Sequence, residues 1–248
     1  MPPRKGEVLL SVRDLHVAYG KAEVVHGASF DVHAGEFVVL LGRNGAGKST
    51  TLHACGGLIA KNMGQVNFDG REIGGASARD IVRGGLVQVL EGHRVFTTLT
   101  VEDNLLIGTY AANARGDRSR LAGIYELFPE LATRRHEPAS RLSGGQQQIL
   151  AVAQGVISEP RLLVLDEPSG GLAPLVVDRI LDCAAQLCAQ GIAILLVEQL
   201  VEKALARANW CYVMETGRIA ASGPASEMAQ SKDLHTIYLG GGDAPAGR

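Results

Sequence analysis

The chain has 248 residues, of which 24 are Lys or Arg and 26 are Asp or Glu, giving a formal charge of −2. That length suits one large α/β domain or two small ones with a sizeable core, and the balanced charge lacks the basic excess that advertises nucleic acid. No apolar run approaches the ~18 residues that a membrane span needs, so a cytoplasmic protein that meets a membrane only through partners is expected.

Residues 1–7, Met1-Pro-Pro-Arg-Lys-Gly-Glu7, carry basic side chains with no apolar stretch behind them and read as a flexible start, not a secretory signal. From Val8 to Val17, Val12, Leu15 and Val17 fall among Arg13, Asp14 and His16 as in a half-exposed strand closed by Tyr19-Gly20. Val24 to Val32 reads as a second strand, and the pair predicts a small antiparallel sheet. Glu36-Phe-Val-Val-Leu-Leu41 is a short apolar run typical of a buried strand.

That strand runs into Gly42-Arg43-Asn44-Gly45-Ala46-Gly47-Lys48-Ser49-Thr50, and Thr50 to Cys55 opens a helix. Strand, Gly-rich turn and helix start are the context that makes G-x-x-x-x-G-K-[ST] a phosphate-binding loop. Gly42, Gly45 and Gly47 allow backbone N–H groups to converge on one anion, and the helix N-terminus adds partial positive charge. Lys48 is expected to reach the β- and γ-phosphates, and the Ser49 hydroxyl to sit on Mg²⁺. The loop alone specifies a nucleotide but not which NTPase.

Further on, Gly64 to Phe68 and Ile73 mark a strand pair turned at Asp69-Gly70, and Gly84 to Val89 a strand. A polar loop spans Glu91 to Thr100, and the weakly apolar stretch 100–141 reads as a helical subdomain. Ser143 caps a helix running to Ile157, and Leu175 to Ala189 and Val201 to Ala208 are helical. Strands are expected at Arg161 to Leu165, Ile192 to Val197, Trp210 to Met214 and Arg218 to Ala221. Strands alternating with helices predict a mostly parallel sheet covered on both faces. Residues 8–239 form one domain on this reading, with a disordered Gly-, Ala- and Pro-rich tail at 240–248. Cys55, Cys183, Cys188 and Cys211 lie in apolar segments without C-x-x-C spacing, as buried free thiols do.

Leu162-Leu163-Val164-Leu165-Asp166-Glu167 puts two carboxylates at a strand end, where open α/β sheets place their ligands. Asp166 suits a water-mediated hold on Mg²⁺, and Glu167 suits orienting and deprotonating the attacking water. With Leu142-Ser143-Gly144-Gly145-Gln146 between the two motifs, the chain resembles the ATP-binding subunits of ABC transporters, from about Val8 to Gly242. The resemblance implies a P-loop ABC-ATPase fold with a mostly parallel core sheet, an antiparallel β subdomain and a helical subdomain. It also implies that Ser143, Gly144, Gly145 and Gln146 serve the ATP of a second subunit, so that two subunits sandwich two nucleotides head to tail. Tyr19 takes the family's adenine-stacking position.

Three positions depart from the common family pattern. Counting back from Phe96 places Glu91 where the family carries a Gln in the loop that contacts the membrane subunits, although Gln88 lies three residues earlier; a carboxylate at 91 can still bind Mg²⁺ through water, while adding negative charge near the γ-phosphate. Gln199 stands in place of the switch His, and it cannot carry charge or transfer a proton. Ala173 stands where an Asp usually crosses to the other subunit. Glu91 to Phe96, Leu172 to Pro174, Val197 to Gln199 and Ile237 to Gly241 resemble the LivF-type ATPases of branched-chain amino acid uptake, whose relatives serve urea and short amides. That subfamily implies a second, different ATPase, two membrane permeases on the inner face and a periplasmic or lipid-anchored binding protein. A DNA-repair or ribosomal ABC ATPase, with its coiled-coil inserts or tandem modules, fits poorly. A GTPase or small-molecule kinase lacks any need for the 142–146 signature, whereas a weakly hydrolysing regulatory subunit is the reading that Gln199 and Ala173 favour.

Overall fold

The computed structural model describes residues 4, 6–92, 94–110 and 116–231. The expected tail at 240–248, most of the flexible start, the segment Ile237 to Gly241 and His93 fall outside the described residues.

Strands β1 (Val8–Tyr19) and β2 (Ala22–His33) form a long antiparallel hairpin. The sequence steps three residues from Val12 to Leu15, which simple alternation forbids if both are to be buried. A bulge resolves this: Asp14 takes a φ of +47° and the register shifts between Val12 and Leu15. The extra residue lets Val12, Leu15 and Val17 all face inward. β3 (Phe37–Leu41) is buried along its whole length, and α1 (Lys48–Cys55) begins two residues earlier than its sequence signal at Thr50, because Gly47 supplies the left-handed residue that opens it.

β4 (Met63–Phe68) pairs with β1 and with β5 (Arg71–Glu72), turning at Asp69 and Gly70, both at positive φ as a two-residue hairpin requires. α2 (Ala78–Arg83) has no counterpart in the sequence reading. It is short and buries only Ile81, so it shows no apolar period. Its one signal is the cap, in which the Asp80 N–H donates to Ser77 Oγ at 3.2 Å.

Then follow β6 (Leu86–Val89), α3 (Val101–Thr109), α4 (Leu121–Leu127), α5 (Pro129–Ala132), α6 (Gly144–Val156) and β7 (Leu162–Asp166). The chain continues with α7 (Pro174–Ala189), β8 (Ala193–Glu198), α8 (Val201–Leu205), β9 (Trp210–Glu215), β10 (Arg218–Pro224) and α9 (Ala225–Met228). The first sheet has the order β2-β1-β4-β5, and the second the order β10-β9-β3-β8-β7-β6. The second is parallel from β9 to β6, with β10 antiparallel at its edge.

Alternate residues of the parallel strands feed two cores. Val39, Leu41, Leu163, Leu165 and Leu196 pack towards α6 and α7, and the same cluster continues into Leu105, Leu121, Phe128 and Leu131. The helical stretch 100–141 therefore shares its core with the sheet. Val38, Leu40, Val164 and Leu195 face the other way, onto Leu52 of α1 and the inner face of the antiparallel sheet.

Register places the site. β8 lies between β3 and β7, with Glu198 opposite Leu41 and Val197 opposite Asp166. The carboxyl ends of all three strands thus reach the same level, one carrying the Gly-rich loop and the others carrying the acids and Gln199.

Candidate nucleotide site

The loop's glycines serve different needs. A Cβ at Gly42 would sit 2.4 Å from the Met214 carbonyl oxygen on β9, so this position is fixed by close strand approach. Gly45 and Gly47 have φ of +80° and +100° and turn the backbone into the helix. Ala46 is buried, and its carbonyl accepts the Gly217 N–H at 2.9 Å. The cleft above is lined by Asn44, Gly45, Gly47, Lys48, Ser49 and Thr50, together with Val24 of β2, Glu91 and Glu167. Gly42, Arg43 and Asn44 line an adjoining recess with Gln199.

Lys48 is buried, yet its ammonium is fully engaged. Nζ donates to the carbonyls of Gly42 at 2.8 Å and Arg43 at 3.2 Å, and lies 3.3 Å from Glu167 Oε1. Ser49 Oγ donates to Asp166 Oδ1 at 2.9 Å, and His53 Nε2 lies 3.5 Å from Asp166 Oδ2. Ser49 and His53 are four apart on α1 and so share a face. Burial pushes the Asp166 carboxyl above its ordinary value; the Ser49 hydroxyl and then His53 pull it back, while Glu167 and Glu91 push it further up.

This arrangement fits a divalent cation brought in with a nucleotide. A hard cation that keeps several waters needs few protein ligands, and one hydroxyl beside one buried, poorly compensated carboxylate is such a set. Among the described residues no group of three or more His, Cys, Asp or Glu is arranged to hold a metal by itself.

Glu167 sits just past β7 at a φ of +44°, with its N–H donating to the Val197 carbonyl at 3.0 Å. That bend turns the carboxylate into the cleft, where Oε1 meets Lys48 and Oε2 accepts Gln199 Nε2 at 2.6 Å.

The signature stretch is built differently. Ser143 Oγ accepts the Gln146 N–H at 3.3 Å and Gln146 Oε1 accepts the Ser143 N–H at 3.0 Å, a reciprocal cap on α6. Gln146 Oε1 also accepts Arg134 Nη1 at 2.7 Å, so its side chain is committed within the chain. Ser143 and Gly144 are exposed, and neither lines the cleft over Lys48.

The family profile described as "ABC transporter" matches residues 25–170, more than half of the chain. The chain belongs to the ABC transporter family. It is similar to the high-affinity branched-chain amino acid transport ATP-binding protein BraG of Pseudomonas aeruginosa, with 38% identity over 233 residues that cover 94% of this chain and 100% of the relative. A probable branched-chain amino acid transport ATP-binding protein, LivF of Archaeoglobus fulgidus, is 31% identical over 94% of this chain and 99% of its own. Among solved structures, an ATP-binding subunit of an ABC transporter superposes with a TM-score of 0.81 at 27% identity, covering 93% of this chain and 98% of that one. A nucleotide-free ATP-binding cassette matches in fold with a TM-score of 0.84 at 24% identity, over 94% of this chain and 100% of that one.

This ABC ATPase thus has the P-loop cassette fold expected from its sequence, with the mostly parallel sheet and the antiparallel one. Of the departures noted in the sequence, Glu91 is on the cleft with Glu167, whereas Gln88 lines a separate groove with Arg94, Phe96 and Gly108. Among the described residues, neither amide atom of Gln88 has a hydrogen-bond partner. Ala173 occupies the N-cap of α7, where it offers no side-chain acceptor. Tyr19 ends β1 with its ring exposed and lines no part of the cleft.

Three participants escape the sequence reading: the Lys48–Glu167 ion pair, His53 beside Asp166, and the buried carboxylate of Glu198 next to Gln199. A signal existed for His53 alone, in its four-residue spacing from Ser49. The other two depend on which strand lies between β3 and β7, and sequence does not print that.

Proposed function

We propose that this ATPase is the energy-supplying subunit of an importer for branched-chain amino acids. It closes head to tail on a second, different ATP-binding subunit at the inner face of the membrane, beneath two permease subunits that receive substrate from a binding protein outside. The observation that carries the paired arrangement is the split just described. The cleft over Lys48 is furnished with loop and carboxylates, with Gln199 in the recess beside it, while the exposed start of α6, where the cap takes up the Ser143 and Gln146 N–H groups and, among the described residues, no side chain caps Gly144 or Gly145, lies off that cleft. A helix start of this kind suits the phosphate of another subunit's nucleotide. The substrate class rests on the full-length similarity to BraG.

In this reading Lys48 gives up its carbonyl partners and Glu167 to bind the β- and γ-phosphate oxygens, alongside the loop N–H groups of Gly42 to Thr50. Ser49 and Asp166 would hold Mg²⁺, with Glu91 beside them on the cleft, and the ion would supply charge neutralisation at the phosphates. Glu167, released from Lys48, accepts the proton of the attacking water while Gln199 fixes the orientation of its carboxylate. Tyr19 stacks on adenine, and Ser143, Gly144, Gly145 and Gln146 close over the partner subunit's nucleotide. Arg94 and Phe96, on the groove beside Gln88, meet a permease.

The Glu167→Gln variant tests the role at the centre of this reading. It should retain ATP binding and lose turnover by at least about a hundredfold, the usual minimum for a positioned base; unchanged hydrolysis removes Glu167 from that role. Cells lacking the chain should lose uptake of labelled leucine, isoleucine and valine; loss of urea or amide uptake instead would reassign the substrate.

A further inference from the structure

The geometry points to Glu198 as a positioning residue that couples the exposed segment after Glu167 to the Gln199–Glu167 pair. Glu198 ends β8 with no exposed surface. Its Oε1 accepts the Ser169 N–H at 3.1 Å, and its Oε2 accepts the Ser169 hydroxyl at 2.8 Å, the Gln199 N–H at 2.9 Å and the Leu200 N–H at 3.3 Å. All four donors belong to neutral groups, so among the described residues it is dipoles that solvate this buried carboxylate. An arrangement of this kind tolerates little displacement of any donor, because each N–H or O–H withdrawn leaves buried charge less compensated.

The contacts form a closed ring. From Glu167 the backbone passes to Ser169; Ser169 is held by Glu198; Glu198 holds the backbone of Gln199; and the Gln199 side chain returns to Glu167 Oε2 at 2.6 Å. Glu198 joins the two arms on the side of the ring opposite Glu167. Ser169 leads directly into residues 170–175, which include the exposed Gly170, Gly171, Ala173 and Leu175. Ala173, with no polar side chain, offers no charged contact of its own to a neighbouring subunit, so a push on this segment is felt in the site through the Ser169–Glu198 bonds. Glu198 touches neither the cleft over Lys48 nor the recess beside it; it acts through Gln199 and Glu167.

This inference rests on Glu167 being the group that activates water, and the test separates the two. Steady-state ATP turnover and nucleotide affinity are measured, with the second ATP-binding subunit present, on the full chain and on Glu167→Gln, Glu198→Gln, Ser169→Ala, Ser169→Thr and the Glu198→Gln/Ser169→Ala double variant. Glu198→Gln turns an acceptor-only carboxylate into an amide that must aim two N–H donors at a ring of donors. It should lower kcat by about tenfold or more while KM and ATP affinity stay within about twofold, a transition-state effect without a binding effect. Ser169→Ala should lower kcat by about three- to tenfold, Ser169→Thr should restore it, and the double variant should be no worse than Glu198→Gln alone, as members of one network behave.

Turnover at the wild-type rate in Ser169→Ala, a change confined to KM, or losses that multiply in the double variant would each overturn the coupling. Should Glu198→Gln fail to fold, the Ala and Thr pair at position 169 decides by itself. If Glu167→Gln hydrolyses normally, the parent reading falls; if it is inactive while Glu198→Gln and Ser169→Ala are both wild type, only the present inference does.

Discussion

Gln199 donates its side-chain N–H to Glu167 Oε2 at 2.6 Å, while the other oxygen of that carboxylate lies 3.3 Å from the Lys48 ammonium. Glu167 is thus held from both sides, by a charge that phosphate oxygens can claim and by a neutral donor that they leave in place. A neutral amide can orient the base but cannot relay its proton. A hydrogen bond to a charged group contributes about 1.5–3 kcal/mol, so Gln199→Ala should cost about ten- to a hundredfold in kcat. A loss beyond about a thousandfold, or ~4 kcal/mol, measured in the full chain would mean that Gln199 does more than orient Glu167.

Much of this site is legible in the chain itself, because its parts are local. The loop from Gly42 to Thr50 and the strand ending at Asp166 each carry their chemistry within a few consecutive residues, and Ser143 with Gln146 is a cap written in four. What sequence leaves out is non-local. The Glu198–Ser169 bonds require β8 beside β7, and the Lys48–Glu167 pair spans β8 from the end of β7 to the loop after β3. The bulge at Asp14 is a middle case. Its three-residue step between buried apolar positions is visible, but only the positive φ explains how one strand keeps both inside. α2 goes unseen because a six-residue helix burying one side chain has no period to read.

Asp166 sets function against stability. Its carboxyl is held above the ordinary value, chiefly by burial, and is only partly relieved by Ser49 and His53. The sign follows: the folded state resists the charge, so stability from this group is greatest below the ordinary Asp value and is lost as pH rises through the folded one. The penalty is present wherever the pH lies above that folded value. Asp166→Asn keeps an acceptor for Ser49 and removes the charge, so it should stabilise the nucleotide-free chain by on the order of 1 kcal/mol, a Tm rise of a few degrees. The same variant should lose Mg²⁺-dependent hydrolysis. Thermal unfolding at pH 7 with and without Mg²⁺-ATP reads both effects, and a lower Tm in the variant contradicts the burial argument.

A second pH effect lies on the antiparallel sheet. His16 and His26 are cross-strand neighbours, with Glu23 Oε1 2.6 Å from His16 Nδ1, Glu23 Oε2 3.3 Å from His26 Nδ1, and Asp14 Oδ1 3.2 Å from His16 Nε2. The hydrogen bond to Glu23 raises the His16 imidazole above its ordinary value, against a smaller effect of burial, and the same bond lowers the Glu23 carboxyl. The contribution of the protonated imidazole is therefore complete below about pH 6.5 and disappears as pH rises through the elevated folded value. An NMR titration of the imidazole protons should place the His16 midpoint above the ordinary one, and Glu23→Gln should bring it down. A midpoint that does not respond to Glu23→Gln would show that the contact does not persist in solution.

The two glycines of the α6 start give opposite expectations. A Cβ at Gly144 would meet nothing within 4 Å, whereas one at Gly145 would come within 2.9 Å of Val176 Cγ2 on α7. Gly145→Ala therefore has a cost in the isolated chain, since Val176 must shift for it, and overpacking of this kind costs about 1–3 kcal/mol. Gly144→Ala should unfold like the wild type, and Ala at a first helical position is favourable on its own. Its defect should emerge only when a partner subunit's nucleotide has to approach the α6 N–H groups, as loss of ATP-dependent dimerisation and turnover with first-order unfolding unchanged. Light scattering of each variant mixed with the second ATP-binding subunit, in the Glu167→Gln background with Mg²⁺-ATP, separates the two. If Gly144→Ala dimerises as well as its parent, the open space beside that glycine is not where a nucleotide docks.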